Sequence, residues 1–129
     1  MFRKKRVLIV EDEESLLKLV TVLLTVKGFD VIGACTGKMA IGKIGVEAFD
    51  LVLLDLMLPD IDGFEVCQQL RLAPPTASVP IIMLSGNNSQ SDRDRGLTCG
   101  ANSYFVKPFK SASIIVEINR LLAEHGNGP

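Results

Sequence analysis

Five residues have side chains suited to holding a cation and a phosphoryl group, and each follows or ends a short, mainly apolar run. Glu11 and Asp12 come directly after residues 6–10 (RVLIV), and Asp55 ends 51–55 (LVLLD). Ser85 follows 80–84 (PIIML), and Lys107 follows 103–106 (SYFV). If those runs are parallel strands of one sheet, all five side chains arrive at one edge. Three carboxylates there repel by about 4 kcal/mol per pair at 4 Å and an effective dielectric near 20. A cation relieves that repulsion, and oxygen ligands of this kind suit Mg²⁺. Lys107 adds a compact charge able to hold a phosphoryl oxygen.

Each residue also has a plainer role open to it. Acids after a strand often only cap the next helix, and Glu13 and Glu14 read as favourable first-turn charges. Ser85 before Gly86 suits an ordinary turn, and Lys107 before Pro108 an ordinary loop. Asp55 is harder to explain away, because a carboxylate at the end of an apolar strand needs a partner. Cys67 and Met83 read as core filling.

The elements that must position these residues alternate along the chain. Runs 6–10, 30–34, 51–55, 80–84 and 103–106 read as strands buried on both faces. Helical patterns occupy 15–27, 36–48, 63–72, 91–99 and 111–124. Gly28 is placed as a C-cap, Thr36 as an N-cap, and Asp62 with Glu65 as a capping box. In the second helix Ala40, Ile44 and Ala48 share a face, while interior Gly42 and Gly45 mark it as the least stable element. Pro74 and Pro75 end the third helix. Strand and helix in alternation imply an α/β, doubly wound parallel sheet with right-handed crossovers. In such sheets the functional crevice lies beyond the carboxyl ends of the strands.

Composition narrows the alternatives. The 129 residues fit one domain, and 14 basic against 15 acidic residues argue against nucleic-acid or membrane binding through bulk charge. The basic start, Arg3 to Arg6, precedes an apolar run that stops at Glu11, short of the roughly 7–15 residues a secretory signal needs. Three separated cysteines without a C-x-x-C pair read as reduced thiols of a cytoplasmic protein. A single histidine, His125, leaves little room for histidine catalysis.

Four segments, VLIVEDE (7–13), DLVLLDLMLPDIDG (50–63), PIIMLSG (80–86) and GANSYFVKPF (100–109), carry a family resemblance. Over almost its whole length the chain resembles the receiver domain of two-component response regulators. The resemblance implies a flavodoxin-like fold, five strands in the order 2-1-3-4-5 with five helices. It assigns residues 1–125 to the receiver and 126–129 to a flexible tail or truncated linker. It makes Asp55 the phosphoacceptor and places Mg²⁺ on Asp12, Asp55 and the backbone carbonyl of Met57, with Glu11 acting mainly through water. Lys107, before a cis proline, pairs with the phosphoryl group; Ser85 and Tyr104 take the two switch positions.

The implied partners are a sensor histidine kinase or histidine phosphotransfer protein upstream and an effector protein or domain downstream. No direct contact of this domain with nucleic acid or membrane is expected. The implied activity is phosphoacceptance, with at most slow self-catalysed turnover, and not enzyme catalysis. An aspartate-nucleophile phosphatase would want an acid where Met57 stands, and a flavin protein a phosphate loop where Glu11 to Glu14 stand. A pseudo-receiver acting only as an interaction module would have lost acids or the lysine, all of which are present. The chain departs from the family pattern in Ser85, the less common hydroxyl residue, and in Asn102-Ser103, where an acidic pair is frequent. Glu117 and Asn119 replace bases of the winged-helix subfamily's last helix, putting dimerisation through its ion-pair ladder in doubt. The expected protein is either a stand-alone regulator or a receiver cut from a longer one.

Overall fold

Apolar runs bounded by charge or turn residues become the strands, and the stretches of helical period between them become the helices. A computed structural model describes residues 3–125, so the expected tail at 126–129 lies outside the described residues. The strands are β1 (Arg6–Val10), β2 (Asp30–Ala34), β3 (Leu51–Asp55), β4 (Ile81–Ser85) and β5 (Ser103–Val106). The helices are α1 (Glu14–Val26), α2 (Gly37–Ile44), α3 (Gly63–Leu72), α4 (Gln90–Thr98) and α5 (Ser111–His125), with a 3-10 turn at Pro74–Thr76. All strand pairs are parallel, in the order β2-β1-β3-β4-β5. This is the expected doubly wound sheet.

Alternation within each apolar run builds two cores. Leu8, Val10, Val52 and Leu54 pack with Ala40 and Ile44 of α2 and Val66 and Leu70 of α3. Val7, Ile9, Leu51 and Leu53 pack on the opposite face with Val20 and Leu24 of α1 and Ile114 and Ile118 of α5. Full burial of such side chains supplies roughly 1.5–3 kcal/mol each. The register sets the functional edge: Val10 lies opposite Leu54, Asp55 opposite Leu84 and Ser85 opposite Val106. Glu11 therefore emerges level with Asp55.

Helix ends follow local chemistry, with corrections. Gly28 after α1 takes φ +95°, the left-handed turn that favours glycine. The Thr36 hydroxyl accepts from the Met39 amide at 3.1 Å, as a cap should. Asp62 accepts from Phe64 at 2.8 Å, whereas a capping box would place that bond at Glu65. Ser89 caps α4 by accepting from Asp92, which starts the helix at Gln90, one residue earlier than expected.

The second helix is shorter than its pattern suggests. It ends at Ile44, Gly45 is its C-cap, and Ala48 is exposed, leaving the next core position to Phe49. Two glycines in consecutive turns weaken propagation. Glu47 meanwhile lies 3.3 Å from Arg6 of β1, outside the helix. Gly45 thus costs α2 nothing as an interior residue. The weakest anchorage belongs instead to α4, in which Gly96 alone is buried. No helix among the described residues is long and apolar enough to cross a membrane.

Hydrogen exchange should therefore rank the helices by buried apolar surface. Amides of α4 should exchange fastest, those of α2 next, and those of α3 and α5 slowest. Slower exchange in α4 than in α2 would contradict this ranking.

Candidate functional site

The carboxyl edge of the sheet collects the strand-end residues. The Glu11 amide continues the β1–β2 ladder by donating to the Ala34 carbonyl at 3.0 Å, and the Glu11 carboxylate accepts from the Glu13 amide at 3.1 Å. The Asp55 carboxylate accepts from the Met57 amide at 3.1 Å. The Lys107 amide donates to the Ser85 carbonyl at 2.7 Å, which fixes β5 beside β4, and the Lys107–Pro108 bond is cis. From that position the Lys107 ammonium reaches Glu11 Oε1 at 2.8 Å and Asp55 Oδ2 at 3.1 Å. Gly63 lets α3 begin against this edge. A Cβ there would come within 2.5 Å of the Leu56 Cα and 2.8 Å of the Asp55 carbonyl oxygen.

Charge at this edge is not balanced by the protein alone. Carboxylate oxygens of Glu11, Asp12 and Asp55 lie within 4.8 Å of one another, with Glu11 and Asp55 buried and Asp12 exposed. Against them stands the single ammonium of Lys107. Burial, aided by Asp55, pushes the Glu11 carboxyl up to about 7 despite its bond to Lys107. Burial works against the Lys107 charge too, but its bonds to Glu11 and Asp55 outweigh that and raise its pKa. A convergent oxygen-donor set short of positive charge, open on the Asp12 side, fits a hard divalent cation.

Ser85 and Tyr104 lie to one side of the acids. Ser85 is buried, and its hydroxyl accepts from the Asn87 amide at 3.0 Å. The Tyr104 hydroxyl donates to the Asn87 carbonyl at 2.8 Å. Asn87 thus sits between the two. The Tyr104 ring packs by Gly96, and the Arg93 guanidinium lies 5.1 Å from the ring centroid. Beside Ser85 opens a cleft of 570 Å³ lined by Met57, Phe64, Asn87 and Arg95 among others. Met57, among its lining, is 74% exposed.

Two supporting residues were not legible in the sequence. Asp60 accepts from the Gly37 and Lys38 amides at 2.8 and 2.9 Å, capping α2 from 23 and 22 residues away. Arg71 donates to the carbonyls of Gly100 and Val79, each at 2.7 Å at its shortest, and to Asn102 Oδ1 at 3.1 Å. Asn102 Oδ1 also accepts from the Ile81 amide at 2.9 Å, which ties the start of β5 to β4. Glu117 is likewise engaged within the domain, with Ser103 and with Arg120.

Comparison with known proteins agrees with this geometry. The family model for the response regulator receiver domain matches residues 7–119. The alkaline phosphatase synthesis transcriptional regulatory protein PhoP of Bacillus subtilis is 40% identical over 118 residues, 92% of this chain and 48% of that protein. The phosphate regulon transcriptional regulatory protein PhoB of Rhizobium meliloti is 38% identical over 117 residues, 91% of this chain and 52% of its own length. The chain spans about half the length of these relatives. A CheY-like receiver domain from Methanospirillum hungatei superposes with a TM-score of 0.89 at 31% identity, covering 96% of this chain and 98% of that one. The receiver domain of the sensor histidine kinase PA1611 from Pseudomonas aeruginosa, solved with magnesium coordinated in its active-site cleft, gives 0.86 at 30% identity, covering 94% and 99%. Receiver domains are signalling domains of two-component systems that bind Mg²⁺ at an acidic pocket, and this chain has the acidic pocket. It belongs to the response regulator receiver domain family.

Proposed function

We propose that residues 1–125 form a receiver unit that takes a phosphoryl group on Asp55 from a histidine kinase or histidine phosphotransfer protein and changes its surface for a downstream partner. The observation that carries this reading is Lys107 bridging Glu11 and Asp55 beside the acidic cluster. Glu11, Asp12, Asp55 and the Met57 carbonyl would hold Mg²⁺, whose charge would neutralise carboxylate and phosphoryl oxygens alike. Phosphoryl transfer asks the protein mainly for positioning and charge stabilisation.

An Asp55 carboxylate oxygen forms the new bond to phosphorus as the donor's bond to its histidine nitrogen breaks. The Met57 amide holds the other Asp55 oxygen, which orients the attack. Lys107, already within reach of Asp55, exchanges carboxylate partners for a phosphoryl oxygen. Ser85 can turn its hydroxyl toward the new group. Doing so gives up the bond from Asn87, and Asn87 also receives Tyr104. The shift thereby reaches β5 and α4. The domain acts in the cytoplasm in this reading, as an acceptor that turns over slowly on its own.

Incubation with acetyl phosphate and Mg²⁺, read by intact mass, tests the proposal. One added phosphoryl is expected, absent in Asp55→Asn, strongly reduced in Asp12→Ala and little changed in Glu13→Ala. No mass gain in the unmodified protein would favour a pseudo-receiver acting by interaction alone.

The lifetime of the phosphoryl group should depend on Met57. Hydrolysis needs water in line with phosphorus, opposite the departing Asp55 oxygen. Met57 and Asn87 both line the adjoining cleft. Methionine is at best a weak acceptor for water, and neutral asparagine can orient a water but cannot take its proton. Decay without a phosphatase should be slow, and Met57→Asn should hasten it, a tenfold change needing about 1.4 kcal/mol. Decay of the phosphorylated protein at fixed Mg²⁺ measures this, and an unchanged or slower rate in the variant would show that the side chain does not gate water.

A further inference from the structure

The segment 57–62 connects β3 to α3 and carries the Met57 carbonyl. Its own ends are fixed locally: the Met57 amide bonds Asp55, the Gly63 amide bonds the Leu56 carbonyl at 3.2 Å, and Asp62 caps α3. Those bonds close the segment on itself, while Leu58 and Ile61 in its middle pack against the core. Two charged side chains add polar ties to other elements. Asp62 meets Arg95 of α4 at 3.5 Å, in a pair more than half exposed on both sides, and such pairs contribute little. Asp60 makes the stronger tie, with one carboxylate oxygen on each of the first two amides of α2. These are charge-assisted bonds at a helix N-terminus, where negative charge is favoured.

The fit is close on both sides. A Cβ on Gly37 would lie 3.0 Å from Val66 Cγ2, 3.1 Å from Ile61 Cβ and 3.3 Å from Asp60 Oδ1. Only a residue without a side chain lets the segment settle this tightly on α2. Thr36 already caps α2 through Met39, so the Asp60 bonds are not needed merely to start the helix. The amides of Gly37 and Lys38 are the ones Thr36 leaves open.

We infer that Asp60 is a positioning residue for the cation site: it clamps the 57–62 segment to α2 and so holds the Met57 carbonyl where it can serve as a ligand. This rests on the metal-binding reading proposed above. Residues that orient metal ligands from outside typically cost about ten-fold or more in affinity when removed. Asp60→Ala should therefore weaken Mg²⁺ binding about ten-fold. Asp60→Asn, which keeps one acceptor oxygen, should lose less.

Thr36→Ala separates positioning from helix capping. It also removes a cap from α2, but the Thr36 hydroxyl bonds Met39 within α2 and no residue of 57–62. Titration of ¹⁵N-labelled protein with MgCl₂, followed by amide shifts, should show unchanged affinity in Thr36→Ala. Hydrogen exchange at residues 37–39 should quicken in both alanine variants. The inference is overturned if Asp60→Ala binds Mg²⁺ as tightly as the parent, or if Thr36→Ala weakens it equally. Should Asp60→Ala fail to fold, unaltered affinity in Asp60→Asn beside a normal melting curve overturns it as well. Asp12→Ala serves as the reference. If it too leaves the titration unchanged, the metal site itself is wrongly placed, a failure distinct from that of the clamp.

Discussion

Two acids buried at the end of an apolar sheet, a third beside them and one ammonium shared between the buried pair form the constraint on which the rest depends. A parallel sheet is the means of assembling it, since Glu11, Asp55 and Lys107 stand 44 to 96 residues apart in the chain and meet only through strand register. Burial makes the arrangement costly for Glu11, whose carboxyl is pushed up to about 7. That cost is what makes the site responsive, because a group bringing positive charge, or a phosphoryl group that takes Lys107, changes the balance at once.

The neighbouring elements are arranged to pass such a change outward. Asn87 is gripped by Ser85 on one side and by Tyr104 on the other. Helix α4 has little apolar hold on the sheet; Arg93 beside Tyr104 and Arg95 4.1 Å from the Phe64 ring centroid supply much of its attachment. An element held by polar and cation–π contacts can shift at lower cost than one with a buried apolar stripe. The contrast with α3 and α5, each anchored by several buried apolar side chains, sets α4 apart as the yielding element.

The fold was legible because each strand is a short apolar run and each major helix has a matching stripe; Val7 to Val10 and Leu51 to Leu54 needed no context. The site was legible at strand ends, where Asp55 has no plain structural use. What escaped reading depends on approach between distant segments. No local pattern marks Asp60, whose partner amides lie on α2, more than twenty residues away. Arg71 gathers carbonyls from loops on both sides of β4, which no local pattern announces. The end of α2 escaped too, since Ala48 kept the helical spacing while Gly45 and the pull of Arg6 on Glu47 ended the helix before it.

Melting temperature reads directly whether the buried carboxylates oppose one another until a cation arrives. Glu11 has a folded pKa near 7, above the ordinary carboxyl value, so its protonated form favours folding below about pH 4.5 and that contribution is lost as pH rises through 7. At pH 8 and without divalent cation the repulsion is complete. Asp55→Asn, which removes one charge and keeps the shape, should then melt above the parent protein, and saturating Mg²⁺ should narrow the gap by stabilising the parent more. A metal-free Asp55→Asn protein that melts at or below the parent would show that the buried carboxylates do not destabilise one another.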